Sequence, residues 1–310
     1  MKDIDKVDIV IVNWNSGLFL TDCLDSLQNK ALNDINQVIV VDNNSSDDSI
    51  QSLNTYDFSL KIVKNLSNKG FGSACNQGAR LCKSKYILFL NPDARIYENT
   101  LSSCLDFLDD EKNASVGILG VPLEDTNGNI ARCCARYPSI FNMVSSAMGL
   151  DKLIPSSGAL MKEWDHLTTR EVDQVIGAFF LVRGDVYKKL NGFDERFFVY
   201  YEEVDFSYRA KKKGYKSVYY SGARAFHYGG VSSSKAIANR LFFSLRSRVQ
   251  YFYKHFNVAS TLFIILTTLF IEFPARLIHA IFIIKSYTLT METLKGYRMF
   301  LVSLFRPHSR

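Results

Sequence analysis

Along the first half of the chain, short apolar runs rich in β-branched and aromatic residues alternate with polar clusters. Residues 7–12 (VDIVIV), 38–41 (VIVV), 60–63 and 86–90 (YILFL) read as strands buried on both faces, the pattern of a parallel sheet. Between them, residues 18–27 have helical spacing. A helix is also expected after DNNSSDDS, with Ser45 or Ser46 as its cap, and another along NKGFGSACNQGAR. The first 95 residues therefore predict β-α-β-α-β-α-β, a doubly wound sheet whose ligands sit at the carboxyl ends of the strands. Further on, 100–108 reads as a helix and Asn127-Gly128 as the turn of a hairpin. Residues 139–170 are expected to be loops and short helices. Residues 175–182 (VIGAFFLV) read as a buried strand, 185–190 as a short helix, 216–220 as an edge strand and 242–256 as a basic aromatic helix.

Polar clusters at 13–16, 42–46 and 91–93 all fall at strand ends on one edge. One such cluster is ordinary turn chemistry; three together point to a nucleotide-type site. No GxxxxGK[ST] is present, so the glycines at 70, 72 and 78 form no P-loop. Gly177 interrupts an apolar strand, where a ligand or backbone can approach closely. The stretch 192–209, GFDERFFVYYEEVDFSYR, leads from aromatics into Glu202, Glu203 and Asp205. On a helix starting near Tyr201 these acids share the first turn, where the positive end of the helix dipole favours them. Asp205 and Arg209 are then spaced to pair, while Glu203 faces elsewhere. His227 precedes Gly-Gly at a strand end and is a ligand candidate.

Charge refines the picture. The 310 residues carry a net +6, but residues 240–310 hold ten Lys/Arg against two acids, leaving the remainder at −2. A nearly neutral body with a basic, apolar tail argues against nucleic acid and for an anionic membrane surface. Residues 258–271 run without a charge, about 21 Å of helix, and 277–284 are apolar again after Glu272-Phe273-Pro274-Ala275-Arg276 breaks the run. Fourteen residues fall short of the ~20 that span a bilayer. The runs read as interfacial or re-entrant, with burial against the protein as the alternative. The six cysteines show no metal spacing and are expected to be reduced, and because MKDIDK leads straight into a strand no secretory leader is expected.

Taken in order, VDIVIVNWN, VIVVDNNSSDDS, NKGFGSACNQGA, YILFLNPDA, VIGAFFLVR, GFDERFFVYYEEVDFSYRAKKKGY and FHYGG resemble the inverting GT-A glycosyltransferases of family 2, and within them bacterial rhamnosyltransferase-like enzymes. The resemblance covers about residues 7–255, with 256–310 as a helical, membrane-associating extension. It implies an α/β GT-A fold, Rossmann-like with a mostly parallel sheet. It also implies transfer of a sugar from a nucleoside diphosphate to a lipid-linked saccharide, in lipopolysaccharide, capsule or cell-wall assembly. By resemblance Glu203 is the base, standing where the family usually has Asp, with Glu202 and Asp205 on the acceptor side. Asp93 and His227 would hold a divalent cation, Mg²⁺ or Mn²⁺, with Asn91 in place of the first acid of the DxD motif. Asp42 would accept from a pyrimidine N3–H, with Asn13, Asn15, Asn43, Lys69, Asn76, Asn91 and Gly177 around the donor. dTDP-rhamnose is the expected donor, UDP-sugars such as UDP-glucose or UDP-galactofuranose are alternatives, and a nucleotide-sugar-binding protein with an impaired site is the rival reading. The expected location is peripheral, on the cytoplasmic side of a bacterial inner membrane.

Overall fold

The structure, a computed structural model, describes residues 6–229 and 236–305. The chain opens with β1 (Val7–Asn13), α1 (Leu18–Ala31), β2 (Ile35–Asp42), β3 (Ser59–Lys64), α2 (Phe71–Ala79), β4 (Tyr86–Leu90) and β5 (Ala94–Ile96). Then come α3 (Thr100–Asp109), β6 (Val116–Gly120), β7 (Leu123–Glu124), β8 (Ile130–Ala131), β9 (Cys134–Ala135) and α4 (Ile140–Met148). The middle holds β10 (Arg170–Val172), β11 (Gln174–Val175), β12 (Phe179–Arg183), α5 (Gly184–Lys189), α6 (Glu202–Lys212), β13 (Lys216–Tyr219) and β14 (Ala225–His227). Helices α7 (Ile237–His255), α8 (Val258–Thr267), α9 (Phe273–Ile278) and α10 (Tyr287–Phe305) complete it.

Two compact units emerge. The first takes the described residues of Met1–Tyr137, Trp164–Glu195 and Glu202–Val231. Its eight-stranded sheet runs β10-β13-β6-β12-β4-β1-β2-β3, with β1, β2, β3 and β4 parallel and β12 antiparallel to β4 and β6. Strands β1 and β4 are buried at every position, which accounts for the apolar runs 9–12 and 86–90 without polar alternation. Helix α2 lies so close to the sheet that a Cβ at Gly78 would meet Val10 Cγ1 at 2.4 Å. A small sheet, β5-β14-β7-β8, sets His227 opposite Ala94. The hairpin at Asn127-Gly128 forms as expected, with Gly128 in the left-handed region. The six cysteines are free and buried.

Several expectations are corrected here. No helix follows β2: Ser45 does not cap one, and residues 43–58 cross to β3 through turns. The run 175–182 is two strands, since Gly177 lies in a turn between β11 and β12. Strand β13 is not an edge strand, because β10 pairs outside it. That partner arises from a stretch with no apolar run, so it left no strand signal.

The second unit takes the described residues of Pro138–Glu163, Arg196–Tyr201 and Ser232–Arg310. This unit thus takes in α7 and two earlier segments together with the tail. Helices α7 and α10 pack around Leu245, Tyr297 and Phe300, with Leu241, Leu269 and Phe273 against them. Glu272-Phe273-Pro274 does not break the helix: α8, a π-helical turn (Thr268–Glu272), α9 and a second π-helical turn (His279–Ile283) form one run of 26 residues. The wider turns accommodate Pro274 in the first turn of α9, where the missing N–H costs little. Glu272 is buried and turned inward, held by Arg248 of α7 and by Arg276 Nε at 2.9 Å. Among residues 139–170, α4 appears with a Ser139/Asn142 capping box.

Candidate active site

Strands β1 and β2 end in register, Asn13 opposite Asp42. Asn13 is fully buried, and its Nδ2 donates to Asp42 Oδ1 (2.9 Å), Ser45 Oγ (3.0 Å) and Ser49 Oγ (2.8 Å). Asn15, in the left-handed region at φ 51°, accepts from Ser46 N at 2.7 Å. Asp47 accepts from Gly17 N and Ser49 Oγ; burial, which raises a carboxyl, is outweighed by these bonds and leaves it below the usual range. These residues knit two strand ends into one ledge. Trp14, 38% exposed, stands on that ledge. Sequence reading missed it; an indole between two strand-end asparagines was the available signal.

Two predicted donor residues are committed to the protein itself. Asn43 is buried; its amide donates to Asn68 Oδ1 and Gly70 O and accepts from Asn65 Nδ2 and Lys69 N. Asn76 donates to Phe193 O and Glu195 Oε1 and accepts from Tyr187 Oη (2.5 Å) and Phe193 N. Both side chains use all their hydrogen-bonding capacity on neighbouring loops. In this structure they shape the edge. Asn76 also explains Gly192, which is left-handed at φ 69° and whose Cβ would lie 2.5 Å from Asn76 Oδ1. Lys69 is exposed at the rim. Gly177 differs: a Cβ there meets Phe71 only at 3.8 Å, so the protein leaves room for a side chain.

Asn91 and Asp93 follow β4 and meet His227 of β14. His227 Nε2 lies 3.3 Å from Asp93 Oδ1 and 3.4 Å from Asn91 Nδ2. Asp93 is buried, and its carbonyl accepts from Tyr228 N at 3.0 Å. Among the described residues no group of three or more His, Cys, Asp or Glu converges on a metal-binding cluster. One carboxylate beside one imidazole suits a cation that takes its remaining ligands from diphosphate oxygens and water.

Helix α6 starts at Glu202 with all three acids in its first turn, as the sequence predicts. Arg209 Nε pairs with Asp205 Oδ2 at 2.7 Å, and its other nitrogens donate to Leu190 O and Gly192 O. Asp205 is fully buried in that pairing and so is structural. The glutamates differ. Glu202 Oε2 and Glu203 Oε2 are shut off from solvent without a hydrogen-bond partner. Burial, then the neighbouring Glu203 charge, pushes the Glu202 carboxyl well above the ordinary range. Burial raises Glu203 as well, against backbone amides of the helix start that lower it. The pair resists double ionisation. Just before α6, Tyr200 (φ 68°) and Tyr201 (φ 73°) both adopt left-handed backbone. Such outliers in bulky residues cost on the order of 1–3 kcal/mol each.

Neighbouring contacts bring these pieces to one edge. Asn91 N donates to Ala178 O beside Gly177, and Gly177 faces Phe71 at the start of α2. Further along α2, burial and the field of both glutamates raise the Cys75 thiol. The edge is the carboxyl end of the parallel strands, where an open α/β sheet binds its ligands.

Residues 8–146 match the profile of Glycosyl transferase family 2. The chain is 27% identical over 256 residues to N-acetylglucosaminyl-diphospho-decaprenol L-rhamnosyltransferase of Mycobacterium tuberculosis (strain CDC 1551 / Oshkosh), covering 76% of this chain and 80% of the relative. It is 26% identical over 190 residues to Rhamnosyltransferase WbbL of Escherichia coli (strain K12), covering 59% and 69%. Its fold matches the mannosyltransferase PcManGT from Pyrobaculum calidifontis, solved with GDP-Man and Mn²⁺, at a TM-score of 0.58 and 12% identity over 98% of this chain and 88% of that one. The chain is a glycosyltransferase with a GT-A fold, similar over residues 8–146 to family 2 and over most of its length to rhamnosyltransferases.

Proposed function

We propose that the protein moves a sugar, with inversion, from a nucleoside diphosphate to a lipid-linked saccharide in surface-polysaccharide assembly. dTDP-rhamnose is the favoured donor, because two of the relatives are rhamnosyltransferases. The observation that carries the reading is the Glu202–Glu203 pair, each with one buried carboxylate oxygen left without a partner, at the sheet edge that also carries Asp93 and His227. Glu203 takes the acceptor hydroxyl proton; a carboxylate raised by burial is a stronger base near neutral pH than an ordinary one. Glu202 carries the shared proton. Asp42, whose Oδ1 accepts from Asn13 Nδ2 and whose Oδ2 accepts from Ser45 N at 3.4 Å, offers its remaining lone pairs to a pyrimidine N–H. Trp14 offers a face for the base. Asp93 and His227 hold a divalent cation, Mg²⁺ or Mn²⁺, which when bound neutralises charge on the diphosphate leaving group. The bound Mn²⁺ of the PcManGT structure supports this.

The protein acts peripherally at the cytoplasmic face of a bacterial inner membrane, held by its basic, apolar helices. The 26-residue run has mean hydropathy 1.8 and is long enough to cross. Its middle carries Glu272, paired with Arg248 of α7 and with Arg276. A helix held by ionic groups along one side lies in the interface more readily than across the core. Nucleotide release from dTDP-rhamnose, UDP-glucose and UDP-galactofuranose, each with a polyprenyl-diphosphate saccharide, tests the reading. Acceptor-dependent dTDP release supports it; no turnover with any donor, with or without Mn²⁺, overturns it.

A further inference from the structure

In the second unit the ordinary rule of side-chain burial is inverted in two segments far apart in sequence. Along the 26-residue run four of the six buried positions are polar (Thr261, Thr267, Thr268 and Glu272, with Ile264 and Ala280), while Leu262, Phe263, Leu266, Phe270, Ile278 and Phe282 are exposed. Helix α4 and the turns after it repeat the inversion. Asn142 and Ser145 point inward, Asn142 in the capping box and Ser145 Oγ 2.5 Å from Ser157 Oγ. Phe141 (71%), Met148 (57%), Leu153 (82%) and Ile154 (57%) are exposed. Helix α4 packs against α8 and the π-helical turn that follows it. Water selects the opposite arrangement, and exposed apolar area on this scale marks an interaction surface.

We propose that residues 139–154 are a second membrane-contacting element, entering the headgroup–acyl boundary of an anionic bilayer together with the 258–284 run. The inference rests on the membrane reading above and extends it to a segment outside the tail. Charge argues for lipid as the occupant: Lys152 lies exposed between Leu150 and Leu153, Arg276 before Ile278, and Lys285 directly after Ile284. Of the acids in these two segments, Asp151 is paired with Lys162 and Glu272 is buried with two arginines. Apolar side chains flanked by long cations whose stems lie along lipid while their charges reach phosphates are the composition of an interfacial anchor.

The test is flotation of the full chain with vesicles of phosphatidylglycerol and phosphatidylethanolamine, against phosphatidylcholine alone. Two triple variants are compared with the natural sequence: Phe141→Ser/Leu153→Ser/Ile154→Ser, and Phe263→Ser/Phe270→Ser/Phe282→Ser. Thermal melts confirm that each folds, and light scattering reports the oligomeric state. The first variant is expected to lose anionic-vesicle binding by about tenfold or more, with its melt unchanged. If only the second loses binding, residues 139–154 have no membrane role and the tail reading survives. If the natural sequence does not float, the membrane reading itself falls, and this inference with it. If the first variant changes the oligomeric state and not flotation, the patch joins two copies and the inference is overturned.

Discussion

Helices α1 and α8 are both amphipathic, and they face opposite ways. In α1 the buried side is Leu20, Cys23, Leu24 and Leu27, and the far end presents Asn29 and Lys30 to solvent. In α8 the buried side includes Thr261 and Thr267, and Val258, Leu262, Phe263 and Leu266 are outside. The first arrangement is selected by water on one side and a core on the other. The second needs an apolar medium outside, or its exposed area is a liability. On the proposed function the two units divide the work: the candidate site lies in the first, and the exposed apolar face of the second is the proposed membrane surface.

If that division holds, lesions in one unit should leave the other's property intact. The largest effect is expected from Glu203→Gln. Loss of a general base costs about 10²–10⁴-fold in turnover, while donor affinity by calorimetry and vesicle binding stay as they were; retained turnover removes Glu203 from the role. The same variant has a stability signature. A carboxyl raised in the fold favours its proton there, so its burial is tolerated below the ordinary value, about 4.3, and destabilises as pH rises through the folded value. The melting-temperature advantage of Glu203→Gln should therefore widen from pH 5 to pH 8, and transfer by the natural enzyme should rise with pH over the same window.

Next in size is Arg248→Met, which strands Glu272 in the second unit. Removing one partner of a buried pair costs about 3–5 kcal/mol, and adding Glu272→Leu should recover much of it. Denaturant unfolding checks both, and a loss under about 1 kcal/mol in the single variant would mean that the pair is solvated. Asn43→Ala comes third. It leaves buried loop groups unsatisfied, at about 1–3 kcal/mol, and should lower the melting point with kcat retained; an unchanged melt with weaker donor binding would return Asn43 to the ligand. Smallest is Leu18→Asp, 72% exposed in α1. It should shift stability by less than about 0.5 kcal/mol without touching flotation, whereas Phe282→Asp, as exposed in water, should weaken anionic-vesicle binding measurably.

Strands β1, β2 and β4 could be read from the chain because their centres are buried on both faces, so the runs 9–12, 38–41 and 86–90 are apolar without alternation and no partner need be known. The start of α6 and the Asp205–Arg209 pair were equally plain, since local spacing decides them. Helix α4 was not legible: it is short, buries Asn142 and Ser145, and so lacks the apolar stripe that marks a helix against a core. Asn43, at a strand end, and Asn76, within α2, both bond neighbouring loops, and the sequence signature of such an amide is the same whether it bonds a ligand or a loop.

The amino-acid order alone settled the parallel sheet, the polar edge at its carboxyl end and the acids at the head of α6, all consequences of nearest neighbours and period. The tertiary structure decided which of those polar groups are spent and which are free. It placed β13 inside the sheet, bound Asn43 and Asn76 to loops, and left one oxygen each of Glu202 and Glu203 without a partner. It also turned the apolar faces of α4 and α8 outward. Those outcomes depend on hydrogen-bond partners and surfaces that lie tens of residues away, and a local pattern carries no record of them.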